Sequence, residues 1–237
     1  MVAVRGANFP AIHWILSRSW GHDRLPGEPV ITPAYRLPRR NPDNVQVLPW
    51  TGDDSELLAM LQRGGAASAA LLYDRFSADV HRVIGRCLGP DRDRDDVVHD
   101  AFLQILRGVA RVRDPAALRG WVTAVAVNTA RSELRRRRLR RLVWSSDPAP
   151  EVAGAGVDPE ARDLLQRIYR RLDRLGTAER LAFVLRFVER HELTEVARLM
   201  DCSLATAKRR IARASAHFSA LASDDPELAA RFGKGGT

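Results

Sequence analysis

The chain has 237 residues, 45% of them hydrophobic, which is enough for one large domain or two small ones. Its formal net charge of +9 favours a polyanionic partner. Its two cysteines, Cys87 and Cys202, lie far apart and in no metal-binding spacing. We therefore predict no disulfide framework, no metal site and no cofactor. No apolar run approaches the roughly 20 residues that span a bilayer. Because no signal peptide is recognisable either, we expect a cytoplasmic protein without membrane insertion.

Five segments follow one another along the chain. Residues 1–52 are interrupted by prolines and are predicted to form a poorly structured arm. Residues 53–143 read as a helical domain, and residues 144–158, with small residues and prolines, as a flexible linker. A second helical domain is predicted over 159–222, followed by a frayed tail over 223–237. The predicted fold is all-α, with two small helical domains on a tether.

Helical periodicity and helix-ending glycines predict four helices in the first domain, over residues 55–63, 66–88, 95–109 and 116–141. The third has one continuous apolar face, which consists of Val97, Val98, Ala101, Phe102, Ile105, Leu106 and Val109. Its opposite face is acidic and partly apolar. Such a face suits docking to a protein with basic residues at its contact, or it is simply a solvated surface.

The fourth predicted helix is strongly basic. Between Arg131 and Arg141 there are seven arginines against one acid, Glu133, a net charge of +6 over that stretch. Like charges at this density repel one another along a helix, and a polyphosphate partner would relieve the repulsion. Trp121 lies near the start of the same helix, where it could hold an unstacked base of single-stranded DNA. Plain core packing is the other interpretation of this tryptophan.

Residues 193–213 indicate two short helices joined by a tight turn. The first covers 194–200, Asp201 and Cys202 form the turn, and Ser203 is a good N-cap for the next helix. The second helix is polar and basic. This pattern is typical of a helix-turn-helix that enters the DNA major groove. A helical hairpin with a solvated basic face is the alternative.

These segments in this order resemble the bacterial sigma factors, specifically the two-domain extracytoplasmic-function group. The resemblance extends from about Asp53 to Leu221 and rests on four stretches, LYDRF at 72–76, DDVVHDAF at 95–102, WVTAVAVN at 121–128 with the arginines that follow, and 193–214. The chain departs from the family at His99-Asp100, where Gln-Glu is common, and at the ATAK stretch from Ala205, where Gly-Thr-Val-Lys is common. The long N-terminal arm is also atypical.

The resemblance implies a division of labour between the domains. The first would bind core RNA polymerase through Asp95, Asp96, Asp100, Phe102, Leu103 and Gln104. The first would also melt and read the minus-ten promoter element, with Trp121, Asn128, Arg131, Arg135 and Arg138. The second would read the minus-thirty-five element, with Ser203, Thr206, Lys208, Arg209 and Arg213. The partners implied are core RNA polymerase and promoter DNA, and family membership raises an anti-sigma factor as a third.

Two other functions are weighed against this one. A stand-alone helix-turn-helix regulator would need a ligand pocket or a dimer interface within residues 53–143. An enzyme acting on nucleic acid would need convergent carboxylates for a metal. Four acids crowd one segment, namely Asp91, Asp93, Asp95 and Asp96. Acids at a helix start more often serve capping and the helix dipole, and no nucleophile–base pair accompanies them. We therefore predict that the chain is not an enzyme.

Overall fold

The structure is a computed structural model, and the residues it describes are 52–64, 66–91, 93–143 and 159–232. The predicted linker and nearly all of the predicted N-terminal arm lie outside these residues. Within them the regular structure is helical and no strand occurs, so the all-α prediction is confirmed. None of the helices in these ranges has the length and apolar character needed to cross a membrane.

The first module contains four α-helices, α1 Asp54–Arg63, α2 Ala66–Leu88, α3 Arg94–Gly108 and α4 Leu118–Val143. Two 3₁₀ turns, Val109–Arg111 and Pro115–Ala117, connect α3 to α4. The Asp53 carboxylate caps α1 by accepting the Glu56 amide N–H at 2.8 Å. Gly89 follows α2 in the left-handed region, at φ +79°, where a glycine is favoured. These local stop signals explain why the predicted helices match the observed ones closely.

The second module contains α5 Pro159–Leu172, α6 Thr177–Phe183, α7 Leu193–Leu199, α8 Leu204–Ala222 and α9 Pro226–Phe232. A π-helical stretch, Val184–Val188, continues α6 and carries three buried residues. The helix-turn-helix consists of α7 and α8, as predicted. Its turn passes through Asp201, whose φ of +49° is left-handed.

The prediction of a frayed tail from residue 223 is wrong over α9. Asp225 caps this helix by accepting the Leu228 N–H at 3.3 Å, and Leu228 is fully buried. The same carboxylate pairs with Arg167 and Arg171 of α5, at 3.3 and 3.1 Å. An acidic N-cap followed by proline at the first helical position is a helix-start signal, and it was present in the sequence.

The predicted apolar face of α3 is right except at Leu106. Val97, Val98, Ala101, Phe102, Ile105 and the following Val109 are buried. Leu106 is 38% exposed and Leu103 36% exposed. At about 100° of rotation per residue, Leu106 falls at the margin of the buried stripe and Leu103 beyond it. Both leucines therefore face solvent beside the acids of this helix.

The two modules are packed together, which the sequence did not predict. One hydrophobic core includes buried residues of both, and α4 contacts α6 and α7. At the junction, the ring of Tyr169 from α5 lies against Gly89, so closely that a Cβ atom there would come within 2.5 Å of a ring carbon. Only glycine fits this contact. The two helical modules therefore pack directly against each other, while the predicted tether over 144–158 lies outside the described residues.

Candidate protein and nucleic-acid interfaces

The acidic face of α3 is solvent-exposed. Asp95, Asp96 and Asp100 lie on it, and so do Leu103 and Gln104. Phe102, predicted to bind with them, is only 6% exposed. Its ring packs against that of Tyr73, with centroids 4.7 Å apart. Five of the six predicted docking residues are therefore accessible, whereas Phe102 supports the face from within.

Two apolar residues that sequence reasoning missed extend this face. Tyr73 of α2 is 38% exposed and contacts the buried Phe102, and Leu106 is exposed at the end of α3. Leu103 lies one helical turn from both Asp100 and Leu106, so exposed apolar and acidic side chains follow one another on this part of α3. The signal for Tyr73 was its place in the LYDRF stretch, but its direction depends on how α2 packs against α3. Apolar side chains edged by acids suit a protein partner with a basic rim.

Part of the positive charge of the arginine run is neutralised by an acid of the same helix, Glu133. The buried carboxylate of Glu133 accepts hydrogen bonds from Arg137 and Arg140, at 2.8 and 3.2 Å, and pairs with Arg136 at 2.6 Å. Arg137 also pairs with Asp91. Asp91, the first acid of the acid-rich segment, therefore has a structural role as an ion-pair partner. The described residues contain no group of three or more metal-ligating side chains that could hold an ion.

Two arginines of the run stay accessible for an anionic partner. Arg135 and Arg138 are exposed, and no acidic residue of the described ranges lies within ion-pair distance of either. Asn128 is exposed on the same helix. These three predicted minus-ten residues form a polar and basic surface that can meet phosphate groups and bases.

The other two predicted minus-ten residues are partly covered. Trp121 is half-buried, and its ring packs over Gly108, where a Cβ atom would lie 2.8 Å from a ring carbon. Arg131 is half-buried, and its Nη2 is enclosed without a hydrogen-bond partner among the described residues. Burial lowers the pKa of Arg131, and the positive charges of Arg135 and Arg210 lower it further. Arg210 belongs to α8, so the helix-turn-helix reaches the predicted minus-ten helix.

Helix α8 begins with the predicted cap. The Ser203 hydroxyl accepts the Thr206 amide N–H at 3.2 Å. Arg209 donates from Nη2 to the Thr206 hydroxyl at 3.3 Å, which orients both side chains at the start of the helix. Ser203, Arg209, Lys208 and Arg213 are exposed, and Thr206 is half-buried. The opposite side of α8 packs in the core through Ala207, Ile211, Ala214 and Phe218.

Both modules match known protein families. The Sigma-70 region 2 family matches residues 72–140, and the Sigma-70, region 4 family matches residues 165–218. The ECF RNA polymerase sigma factor SigM of Mycobacterium tuberculosis is 30% identical over 168 residues, covering 71% of this chain and 84% of SigM. The chain belongs to the extracytoplasmic-function sigma factors. This sigma factor thus directs core RNA polymerase to promoters and initiates transcription. The family favours this function over that of a stand-alone helix-turn-helix regulator.

Further similarities agree with this family. The ECF sigma-E factor of Escherichia coli K12 is 29% identical over 172 residues, covering 68% of this sigma factor and 90% of its relative. CnrH, solved in complex with the cytosolic domain of CnrY, is 26% identical with a TM-score of 0.52, covering 73% of this chain and 98% of CnrH. RpoE of Bartonella quintana, solved with the anti-sigma factor NepR, shares the fold at 18% identity and a TM-score of 0.51, covering 65% and 98%.

Proposed function

We propose that the first module docks on core RNA polymerase through the exposed face of α3. The observation that supports this most directly is an acidic strip, Asp96 and Asp100, edged by Leu103 and Leu106, in a chain of net charge +9. Exposed acids beside exposed leucines on one face of a helix provide charge attraction and apolar contact together. Phe102 supports this face by filling the space beneath Tyr73.

We further propose that α4 melts and reads the minus-ten element while α8 reads the minus-thirty-five element. Arg135 and Arg138, which have no acidic partner among the described residues, supply phosphate contacts, and the contribution of these contacts to affinity falls steeply with salt. Lys208 and Arg209, near the N-terminus of α8, are placed to reach base edges, each discriminating by about 1–3 kcal/mol. Joining both modules to one polymerase raises their effective concentration on the same promoter.

Three further properties complete the proposal, namely the cellular location, the lack of catalytic activity and a third partner. The sigma factor acts in the cytoplasm, where RNA polymerase works, and has no catalytic activity of its own. An anti-sigma factor is its third partner, a proposal supported by the structure of CnrH in complex with another protein's cytosolic domain.

In-vitro transcription of genomic DNA with purified core polymerase, with the start sites mapped, tests the whole function. Failure to initiate at any site would contradict it.

The polymerase-docking face is tested by reversing its charge. Asp96→Arg with Asp100→Arg should reduce affinity for core polymerase by at least about 100-fold, because like charges then oppose the basic rim of the partner. Affinity is measured by fluorescence anisotropy of the labelled sigma factor, with circular dichroism to check the fold. The matched control is Asp163→Arg with Asp224→Arg, two exposed acids of the second module. Equal losses in both variants would show an effect of net charge and not of this face.

The role of α8 is tested by Arg209→Ala. Transcription from the mapped promoters should fall by about tenfold, as expected for loss of one base contact, while core polymerase affinity stays the same. The control is Arg170→Ala, which removes an exposed arginine of α5. A loss of polymerase affinity in Arg209→Ala, with promoter selectivity unchanged, would mean that the proposed roles of the modules are wrong.

A further inference from the structure

The end of α2 holds a buried arginine of the second module in place. The last carbonyl groups of a helix have no partner within it. Arg180 of α6 donates from Nε to the Cys87 carbonyl oxygen and from Nη2 to the Leu88 carbonyl oxygen, both at 2.8 Å. The Tyr169 hydroxyl donates to the Arg86 carbonyl oxygen at 3.0 Å. Three consecutive carbonyl groups of α2 are thus capped by α5 and α6, and the Arg180 guanidinium is fixed by them.

A cavity of about 210 Å³ lies beside this arginine, between the end of α4 and the turn that joins α5 to α6. Its charged lining consists of five arginines and one acid, namely Arg137, Arg138, Arg141, Arg174, Arg180 and Asp173. Leu134 and Leu175, both buried, line it as well, and water screens charges poorly beside such side chains. Pockets for drug-sized ligands measure about 300–1,000 Å³, so this cavity suits a smaller ligand, or one end of a larger ligand.

The cavity has more positive charge than its own acid can neutralise. Five positive charges against one negative give the lining a net charge of +4. Asp173 pairs with Arg180 and lies 3.7 Å from a guanidinium nitrogen of Arg141. Arg138 and Arg174 are exposed at the rim, and no acid of the described residues lies within ion-pair distance of either. The excess charge therefore faces a space that an anion can enter.

Arg137 adds a buried donor that has no acceptor. Its side chain is 9% exposed, its Nε donates to Glu133 at 2.8 Å, and its Nη1 pairs with Asp91. Its Nη2 is buried without a hydrogen-bond partner among the described residues. A buried N–H group without an acceptor is costly, and a bound anion would remove that cost. Because two acids hold the guanidinium in position, a ligand would meet a donor that is already ordered.

We propose that this cavity binds a small molecule with two adjacent phosphate groups, held between the arginines of α4 and those of the second module. Guanidinium groups bind phosphate oxygens through paired N–H donors. A diphosphate matches a lining charge of +4 better than one carboxylate does, because each phosphate group carries more than one negative charge. Arg138 also belongs to the proposed minus-ten surface, so the tests leave it unchanged.

The probe is inorganic pyrophosphate, titrated into the full-length sigma factor by isothermal titration calorimetry at constant ionic strength and without divalent cations. The parent should bind pyrophosphate saturably, with one site per chain. Arg174→Gln should weaken this binding by about fivefold or more, because it removes a charged donor from the cavity wall. Circular dichroism checks the fold. A parent without saturable binding, or a folded Arg174→Gln protein with the parent's affinity, would overturn the proposal.

The matched control removes the same charge far from the cavity. Arg113 is exposed and precedes α4, whose 26 residues span about 39 Å at about 1.5 Å per residue. The cavity lies at the other end of this helix. Arg113→Gln should therefore change pyrophosphate affinity by less than about twofold. Equal losses in Arg113→Gln and Arg174→Gln would show attraction by net charge alone, and the proposal would be wrong.

A second variant tests the wall that α4 provides. Arg141→Gln should weaken pyrophosphate binding by about threefold or more, because it removes one positive charge and takes a cationic partner from Asp173. A folded Arg141→Gln protein that binds pyrophosphate as the parent does would place the anion outside this cavity.

Two further ligands distinguish a small phosphorylated molecule from the DNA backbone, which offers the same phosphate chemistry. The parent should bind pyrophosphate about tenfold more tightly than orthophosphate, and equal affinities would exclude a site for two phosphate groups. A single-stranded thymidine oligonucleotide of about ten residues should bind Arg174→Gln within about twofold of the parent. An oligonucleotide loss as large as the pyrophosphate loss would assign the cavity to the DNA surface instead. These titrations use neither polymerase nor a promoter, so they succeed or fail independently of the proposed function.

Discussion

Buried carboxylates with several arginine partners are a recurring feature at the scale of single residues. Glu133 pairs with three arginines of α4, Glu189 with two of α2, and Asp225 with two of α5. All three carboxylates are nearly enclosed by protein. Because each acid pairs with more than one arginine, removing Glu189 or Glu133 would also deprive a buried guanidinium, Arg86 or Arg137, of a counter-charge. The basic composition is therefore in part a structural property, separate from DNA binding.

Two glycines with the same backbone angle allow a prediction about a single residue. Gly64 and Gly89 both have φ +79°, but a Cβ atom at Gly64 meets no described residue within 4 Å, whereas one at Gly89 would overlap the Tyr169 ring. Gly64→Ala should lower the free energy of unfolding by about 1 kcal/mol, from backbone strain alone. Gly89→Ala should lower it by about 3 kcal/mol or more, because overlap with the ring adds to the strain. Urea unfolding of both variants measures the difference, and equal losses would contradict the contact between modules.

At the scale of elements, α8 depends on the Ser203 hydroxyl to accept a backbone N–H of its first turn. Ser203 accepts the Thr206 N–H, and the turn before it already contains the left-handed Asp201. A helix whose first turn frays would misplace Lys208 and Arg209. Capping therefore connects the stability of α8 to the placement of Lys208 and Arg209, the side chains proposed to contact DNA.

This connection can be separated into two effects by two substitutions at Ser203. Ser203→Ala should lower the free energy of unfolding by about 1 kcal/mol, through loss of the cap. Ser203→Asp should keep stability, because aspartate also caps and favours a helix N-terminus, yet weaken promoter binding by repelling phosphate. Urea unfolding and gel-shift titration with the polymerase holoenzyme report the two effects. Parallel losses in stability and binding for Ser203→Asp would speak against the proposed DNA contact.

For the molecule as a whole, the junction between modules is also where protonation should matter. His191 is half-buried, close to Glu189 and Glu195 and to Arg82 and Arg198. Burial lowers the pKa of His191 from its usual 6.5, although the two glutamates act in the opposite direction. The unfolded chain therefore binds a proton near pH 6.5 that the folded chain takes up only at lower pH. The free energy of unfolding is therefore highest above about pH 6.5 and decreases as the pH falls below it.

The expected outcome is a free energy of unfolding that decreases between about pH 7.5 and about pH 5.5, where carboxylates remain charged. His191→Gln should make this decrease smaller, because the group responsible is removed. His99→Gln, which alters an exposed histidine of α3, should leave the decrease as in the parent. Urea unfolding at several pH values provides the measurement. An unchanged pH dependence in His191→Gln would assign the effect to other groups.

Local signals allowed much of this architecture to be predicted. The four helices of the first module begin and end within about two residues of their predicted bounds, because apolar periodicity and stop signals such as Gly89 are readable within one helix. The helix-turn-helix and the Ser203 cap were readable for the same reason. Whether the exposed residues of α3 and α8 bind polymerase and DNA stays a prediction.

Contacts between distant parts of the chain were not readable. Arg180 and Cys87 are 93 positions apart, and no periodic pattern relates one to the other. The same holds for Arg131 of α4. The effect of the Arg210 charge on its pKa depends on how the two modules pack, which the sequence alone does not give. The burial of Phe102 was predicted from the apolar face of α3, but its contact with Tyr73 depends likewise on how α2 packs against α3. Pairing over such distances depends on tertiary packing, which spacing along one helix does not encode.

The capping of α2 from across the junction bears on how this protein can be dissected. A fragment that stops at residue 143 would lack both Tyr169 and Arg180, so the carbonyl groups of Arg86, Cys87 and Leu88 would turn to water. In such a fragment, amide protons in the last turn of α2 should exchange with solvent faster than in the intact chain. Part of the rigidity of the first module therefore depends on contacts from the second, and measurements on either module alone would describe a more flexible protein.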